Sequence, residues 1–111
     1  NESELEQKLV AIGFQRYFLQ DMSVIEQIDL FQGAGIVVAP HGAGLSNLIW
    51  CNIGVKVIEI FPFKPRNDCY ARLAINLELD YKYVVSEESK SSSGRIPINE
   101  VVELAIISES L

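Results

Sequence analysis

Hydrophobic positions along this chain alternate between short apolar runs and amphipathic segments, a pattern typical of repeated β and α elements. Residues 2–12 have apolar positions at helical spacing, and Gly13 is well placed to end that helix. Residues 14–19 predict a short strand. Ser23 with Glu26 three residues later predicts a capping box that opens a second helix. The apolar face of this second helix is predicted to consist of Val24, Ile28, Phe31 and Ala34.

The rest of the chain predicts three more strands. Residues 35–39 and 55–61 are apolar and rich in β-branched side chains, as in strands buried on both faces of a parallel sheet. Residues 81–85 predict the last strand. Further helices are predicted at residues 45–50, about 68–77 and 98–107, with a polar, serine-rich loop at 86–94.

Four strands separated by helices cannot pair as hairpins, so we expect a mainly parallel sheet with right-handed crossovers. The predicted fold class is α/β, a three-layer Rossmann-like domain. The 111 residues are one domain's worth of chain, so 1–111 is predicted to be a single domain. Open sheets of this kind bind ligands beyond the carboxyl ends of their strands, here after Ala39 and Ile60.

The net charge of −6 argues against nucleic acid as a partner and against an anionic membrane surface. No apolar run approaches the roughly 18 residues that a membrane span needs. A nucleotide diphosphate is still possible as a ligand, because backbone amides at a helix start can hold phosphates. Nothing at the N-terminus resembles a signal peptide, which favours the cytoplasm. Since the chain begins at Asn1, we expect it to be a piece of a longer protein.

The chain has two cysteines, Cys51 and Cys69, which are too few for a disulfide framework that stabilises a domain of this size. They are interpreted as two half-buried thiols, or as a disulfide if the ends of two elements meet in space. A zinc site is not expected, since only His41 could join them.

The loop at residues 41–44, after the strand predicted at 35–39, contains two glycines and runs into a predicted helix start. Glycine lets a ligand approach the backbone closely, and amides at a helix start favour a phosphate or diphosphate. The alternative is a tight turn that needs glycine for geometry alone. Polar side chains crowded into an apolar stretch favour the ligand. The predicted substrate-binding residues are Gly42, Ala43, Gly44, Leu45, Ser46, Asn47 and Glu59.

His41 and Glu59 are the candidate catalytic residues. His41, the single histidine, is expected at a strand tip, where it can bond a phosphate or sugar hydroxyl or act as a general base. Glu59 lies within a buried strand, where a carboxylate is costly unless it is paired or faces a polar cleft. It is interpreted as a ligand of ribose or sugar hydroxyls, or as a structural hydrogen-bond acceptor.

Two enzyme classes fit the loop poorly. The run from Gly42 to Asn47 is a near miss to the dinucleotide fingerprint, with asparagine in place of the third glycine, and its helix is short. The sequence from His41 to Gly44 is similar to an esterase oxyanion loop, but a hydrolase needs a Gly-x-Ser-x-Gly elbow and a second histidine.

From about residue 13 to residue 83, the sequence resembles the catalytic domain of glycosyltransferase family 61. The most specific part is the His-Gly-Ala-Gly-Leu-x-Asn run at 41–47 followed by Val57-Ile58-Glu59. Similarity continues through residues 67–70 and closes on 79–81. The chain departs from the family pattern at residues 52–55, where relatives tend to have proline before the glycine and threonine after it.

The resemblance implies the C-terminal, donor-binding half of a two-domain GT-B enzyme. Such an enzyme transfers a sugar from a nucleotide-diphosphate sugar, UDP-linked in our prediction, to a glycan or protein acceptor with inversion and usually without a bound metal. No cofactor is expected, and the acceptor side would come from a missing N-terminal domain. Spacing and Cys51 resemble the bacterial polysaccharide-synthesis members, which favours the cytoplasm over the Golgi or endoplasmic reticulum lumen. The alternative is a non-catalytic Rossmann-like module that binds a nucleotide or a protein.

Overall fold

A computed structural model describes residues 2–62 and 67–86. Its helices and strands follow one another in the β-α order that the sequence predicts, apart from the first predicted strand. In chain order they are helix α1 (Glu2–Ala11), a 3₁₀ turn (Leu19–Asp21), helix α2 (Val24–Gln32), strand β1 (Ile36–Pro40), a 3₁₀ helix named here the loop helix (Ala43–Trp50), strand β2 (Lys56–Phe61), helix α3 (Cys69–Asn76) and strand β3 (Asp80–Val85).

The three strands form one parallel sheet in the order β1-β2-β3. All six residues of the central strand β2 are buried, whereas the edge strand β1 is only half-buried. In the register of the sheet, Glu59 of β2 lies opposite Ala39 of β1 and Tyr83 of β3. The predicted fold class is confirmed: the protein has an α/β, Rossmann-like arrangement.

Helices cover both faces of the sheet, which gives three layers. On one face, α1 packs on a cluster made of Leu5, Leu9, Ile58, Ile60 and Val84. On the other face, α2, the loop helix and α3 cover a larger cluster made of Phe31, Leu45, Leu48, Val55, Val57, Ala74 and Leu79. Residues of β2 alternate between the two clusters, as side chains of a strand must.

Helix α2 begins with the predicted capping box. The Glu26 amide donates to the Ser23 hydroxyl at 3.1 Å, and the Ser23 amide donates to the Glu26 carboxylate at 2.9 Å. The backbone amide of Ser23 lowers the pKa of Glu26 most, and the Ser23 side chain lowers it further. The predicted apolar face is right at Phe31, which is buried, and wrong at Val24, whose exposed fraction is 71%. Val24 is the first residue of the helix, and its neighbour Ile25 is equally exposed, so the first turn lies at the surface.

The predicted strand at residues 14–19 is absent. Gly13 has a φ of +104°, a left-handed conformation that turns the chain back on α1. The Phe14 amide then donates to the carbonyl of Leu9 at 3.1 Å and its ring packs against the α1 side of the core, so this segment closes α1 and joins no strand. The described part of the sheet therefore has three strands, where the sequence predicts four. Apart from buried Ser86, the predicted loop at 86–94 and the helix at 98–107 lie outside the described residues.

Leu48 and Ile49 offer a matched test of the larger cluster, because they are neighbours of equal size. Leu48 is fully buried and Ile49 is half exposed. We expect Leu48→Ala to lower the free energy of unfolding by about 2–5 kcal/mol, since it leaves a cavity in the core. Ile49→Ala should cost under about 1 kcal/mol. Urea unfolding measures both, and equal losses would contradict the packing described above.

Candidate functional site

Glu59 is a buried acid on the same face of the sheet as the larger cluster. Strand side chains alternate, so Val57, Glu59 and Phe61 point toward the layer of α2, the loop helix and α3. The exposed fraction of Glu59 is 0%. A carboxylate in such a place is stable only if its oxygens accept hydrogen bonds.

Both carboxylate oxygens of Glu59 are engaged. Oε2 lies 2.6 Å from Nδ1 of His41, and Oε1 accepts a hydrogen bond from the Tyr81 hydroxyl at 2.5 Å. Because an ionised carboxylate only accepts hydrogen bonds, Nδ1 of His41 is the donor in this pair. The neutral ring therefore carries its proton on Nδ1 and a lone pair on Nε2.

The sheet register explains why these three side chains meet. The His41 amide donates to the carbonyl of Ile60 at 2.8 Å, which extends the β1–β2 ladder by one residue. His41 is thus a diagonal neighbour of Glu59 on the β1 side, and Tyr81 is its diagonal neighbour on the β3 side. Diagonal neighbours on one face are within reach of long and aromatic side chains.

Aromatic rings hold the imidazole from two sides. The ring of Phe61 stacks on His41 at a centroid distance of 5.1 Å and an angle of 23°, and Tyr70 lies at 5.4 Å with a tilt of 59°. Burial raises the pKa of Tyr70, and Coulombic interactions with Cys69 and Glu59 raise it further, so its phenol stays neutral. The His41 side chain is 27% exposed, and its Nε2 has no hydrogen-bond partner among the described residues.

The loop helix begins at Ala43, two residues earlier than the sequence predicts. The Leu45 amide donates to the carbonyl of Gly42 at 3.1 Å, so it is not free for a ligand. A 3₁₀ helix leaves only the amides of its cap and first two residues without an intrahelical acceptor. These belong to Gly42, Ala43 and Gly44, which shifts the expected anion-binding amides toward His41.

Side chains around the glycine loop are used to hold it in place. Asn47 donates to the Gln27 side chain at 2.9 Å and to the Gly44 carbonyl at 3.1 Å, and Ser46 donates to the Ala43 carbonyl at 2.8 Å. A Cβ added at Gly44 would lie 2.7 Å from Cδ1 of Leu19, so that glycine permits close packing. Gly42 has extended backbone with a φ of 170°, and a Cβ there would meet open space.

The family model described as Glycosyltransferase 61 matches residues 1–58 of the chain, from α1 into β2, including the whole glycine loop. The chain belongs to glycosyltransferase family 61. No curated protein and no solved structure matches it.

The structure of this glycosyltransferase brings the two candidate catalytic residues together, at the edge where the loop helix starts. It favours the structural interpretation of Glu59, because a sugar could contact the carboxylate only if His41 moved away. Sequence reasoning missed Tyr81, Phe61 and Tyr70. Tyr81 lies on the same face of the sheet as Glu59. That relation could point to Tyr81 only once the register of β2 and β3 is known.

Within the described ranges 2–62 and 67–86, no group of three or more His, Cys, Asp or Glu side chains could hold a metal ion. The same ranges contain no helix long and apolar enough to cross a membrane. Both cysteines are free thiols, and burial raises the pKa of Cys51.

The His41–Glu59 pair predicts an unusual histidine signal that is easy to assign, because the glycosyltransferase chain has one histidine. We expect ¹⁵N NMR of the neutral ring to show the proton on Nδ1. In Glu59→Gln the amide NH₂ can donate to Nδ1 while its oxygen still accepts from Tyr81, so the proton should move to Nε2.

Asp29→Asn is the control for the loss of one negative charge, since Asp29 lies on the exposed side of α2. It should leave the tautomer of His41 unchanged. The same tautomer in the parent and in Glu59→Gln would mean that the carboxylate does not orient the ring.

Proposed function

We propose that this protein binds a nucleotide-diphosphate sugar, UDP-linked, at the carboxyl edge of its sheet and transfers the sugar to a glycan or protein acceptor with inversion. Membership of glycosyltransferase family 61 supports the reaction class. The observation that carries the proposal is the buried Glu59 carboxylate, which holds His41 so that Nε2 faces outward beside the glycine loop.

The diphosphate of the donor binds, in this proposal, at the start of the loop helix. The amides of Gly42, Ala43 and Gly44 point out of the helix start, where the helix dipole also favours an anion. Backbone amides carry no net charge, so the site is compatible with a chain of net charge −6. Open space at Gly42 lets a phosphate approach the backbone.

His41 acts on the leaving group. When the ring is protonated, Nδ1 donates to Glu59 and Nε2 donates to a phosphate oxygen of the donor. The acceptor hydroxyl attacks the anomeric carbon from the opposite face, and its proton goes to a base of the second domain. The bond between the sugar and the diphosphate breaks with the electron pair going to the diphosphate, and the hydrogen bond from Nε2, already in place, stabilises that charge as it develops. Glu59 is a positioning residue, because its carboxylate touches His41 and Tyr81 and is fully buried.

Titration with UDP tests the donor site, and the two glycines at opposite ends of β1 give a matched pair. Neither Gly42 nor Gly35 has an atom within 4 Å of an added Cβ, so alanine should fold at both positions. We expect Gly42→Ala to weaken UDP binding about tenfold, a loss of about 1.4 kcal/mol, since its methyl group occupies space beside the amides. Gly35→Ala, at the amino end of the strand, should bind UDP like the parent.

Calorimetry with UDP, UDP-sugars and other nucleoside diphosphates measures these affinities. If the parent bound none of these nucleotides, the donor-binding proposal would fail. A folded Gly42→Ala protein with unchanged affinity would instead move the diphosphate away from the loop.

A second domain supplies the acceptor side in this proposal, as the GT-B architecture of the resemblance implies. We therefore expect this chain to bind a UDP-sugar but to transfer sugar to no acceptor until that domain is added. Release of UDP in the presence of glycan and peptide acceptors measures transfer. Steady turnover by this chain alone, compared with the two-domain enzyme, would overturn the expectation.

A further inference from the structure

A small cavity of about 80 Å³ lies next to the His41–Glu59 pair, between the sheet and the first turn of α3. The diphosphate site proposed above does not use it. We name it the aromatic subsite; its lining residues are Phe61, Asp68, Ala71, Tyr81 and Tyr83. Tyr81 connects the His41–Glu59 pair to the aromatic subsite, because its hydroxyl donates to Glu59 while the residue lines the cavity.

In the aromatic subsite, the ring of Tyr83 lies next to the two other rings. Tyr83 meets Phe61 edge-on at a centroid distance of 6.1 Å and an angle of 82°, and it lies 6.4 Å from Tyr81. Nevertheless, 45% of Tyr83 is exposed, so a large aromatic surface faces solvent at the ligand-binding edge of the sheet. Such surfaces suit the apolar C–H faces of a sugar ring.

Asp68 provides the polar part of the subsite. Its Oδ2 lies 3.2 Å from Nε of Arg72, and its Oδ1 has no hydrogen-bond partner among the described residues. A carboxylate oxygen accepts hydrogen bonds from the hydroxyl groups of a sugar. An acid in the wall repels a sugar that carries a carboxylate of its own, although the neighbouring Arg72 reduces this effect.

We propose that the aromatic subsite binds a neutral sugar ring, which stacks on Tyr83 and donates a hydroxyl to Asp68. This inference rests on the proposed function, which brings a sugar to this edge of the sheet. The ring is either the sugar of the donor or a sugar of the acceptor, and the same chemistry recognises both.

The first experiment removes or fills the subsite and leaves the glycine loop unchanged. Tyr83→Leu removes the stacking surface, and Ala71→Leu fills the cavity from α3. Tyr17→Leu is the matched control, since Tyr17 is 48% exposed and does not line the cavity. Calorimetry with UDP and UDP-glucose, and saturation-transfer NMR with methyl glucoside and methyl galactoside, measure binding.

If the donor sugar occupies the subsite, both variants should bind UDP within about twofold of the parent and UDP-glucose about threefold to tenfold more weakly. If an acceptor sugar occupies it, UDP and UDP-glucose should bind normally while the methyl glycoside signals disappear. Normal binding of all four compounds by both variants would overturn the subsite, and so would an equal loss of UDP and UDP-glucose. A parent that binds no UDP overturns the proposed function itself.

The second experiment tests the preference for a neutral ring. The parent should bind UDP-glucose more tightly than UDP-glucuronic acid, and Asp68→Asn should reduce that preference by about threefold or more. Asp29→Asn removes one negative charge elsewhere on the surface and should leave the preference for UDP-glucose unchanged. An unchanged preference in Asp68→Asn would remove Asp68 from the subsite.

Discussion

The rest of this site depends on the burial of one carboxylate. Glu59 lies in a strand whose six residues are all buried, and it is stable there because His41 and Tyr81 bond its two oxygens. The two partners come from opposite sides of β2, so the carboxylate links all three strands. A slip of one residue would turn Glu59 toward the face that Ile58 and Ile60 occupy, where it would meet only apolar side chains. The apolar alternation of β2 therefore fixes the site as well as the core.

The glycine loop is ordered by contacts that no ligand supplies. Asn47 is bonded to Gln27 of α2, and Gln27 in turn donates to the carbonyl of Leu19 at 2.9 Å. The side chain of Leu19 packs where a larger residue at position 44 would collide with it. Polar side chains that attract attention in the sequence thus connect the loop to the helix beneath it. The amides of Gly42, Ala43 and Gly44 take no part in these side-chain contacts, so a ligand in the proposed donor site would meet them already in place.

The elements that could be predicted from the sequence are those with local causes. The capping box at Ser23 and the stop at Gly13 are set by residues within one turn. The strand predicted at 14–19 failed because a left-handed glycine turned the chain away from the sheet, which the apolar pattern does not reveal. The rule that parallel strands end at one edge placed His41 and Glu59 at the same edge of the sheet, but the hydrogen bond between them was not predicted. The hydrogen bond from Tyr81 to Glu59 could not be predicted, since it depends on the register of two strands.

The family match and the geometry support different halves of the site. The match ends at residue 58, so it includes the glycine loop and His41 but stops one residue before the buried acid. Glu59 belongs to the site because it contacts His41. This contact connects the matched part of the chain to the rest of β2 and, through Tyr81, to β3. In the proposed donor site, an anionic ligand would meet the backbone amides at the start of the loop helix. The partial positive charge of that helix start favours an anion although the chain as a whole is acidic.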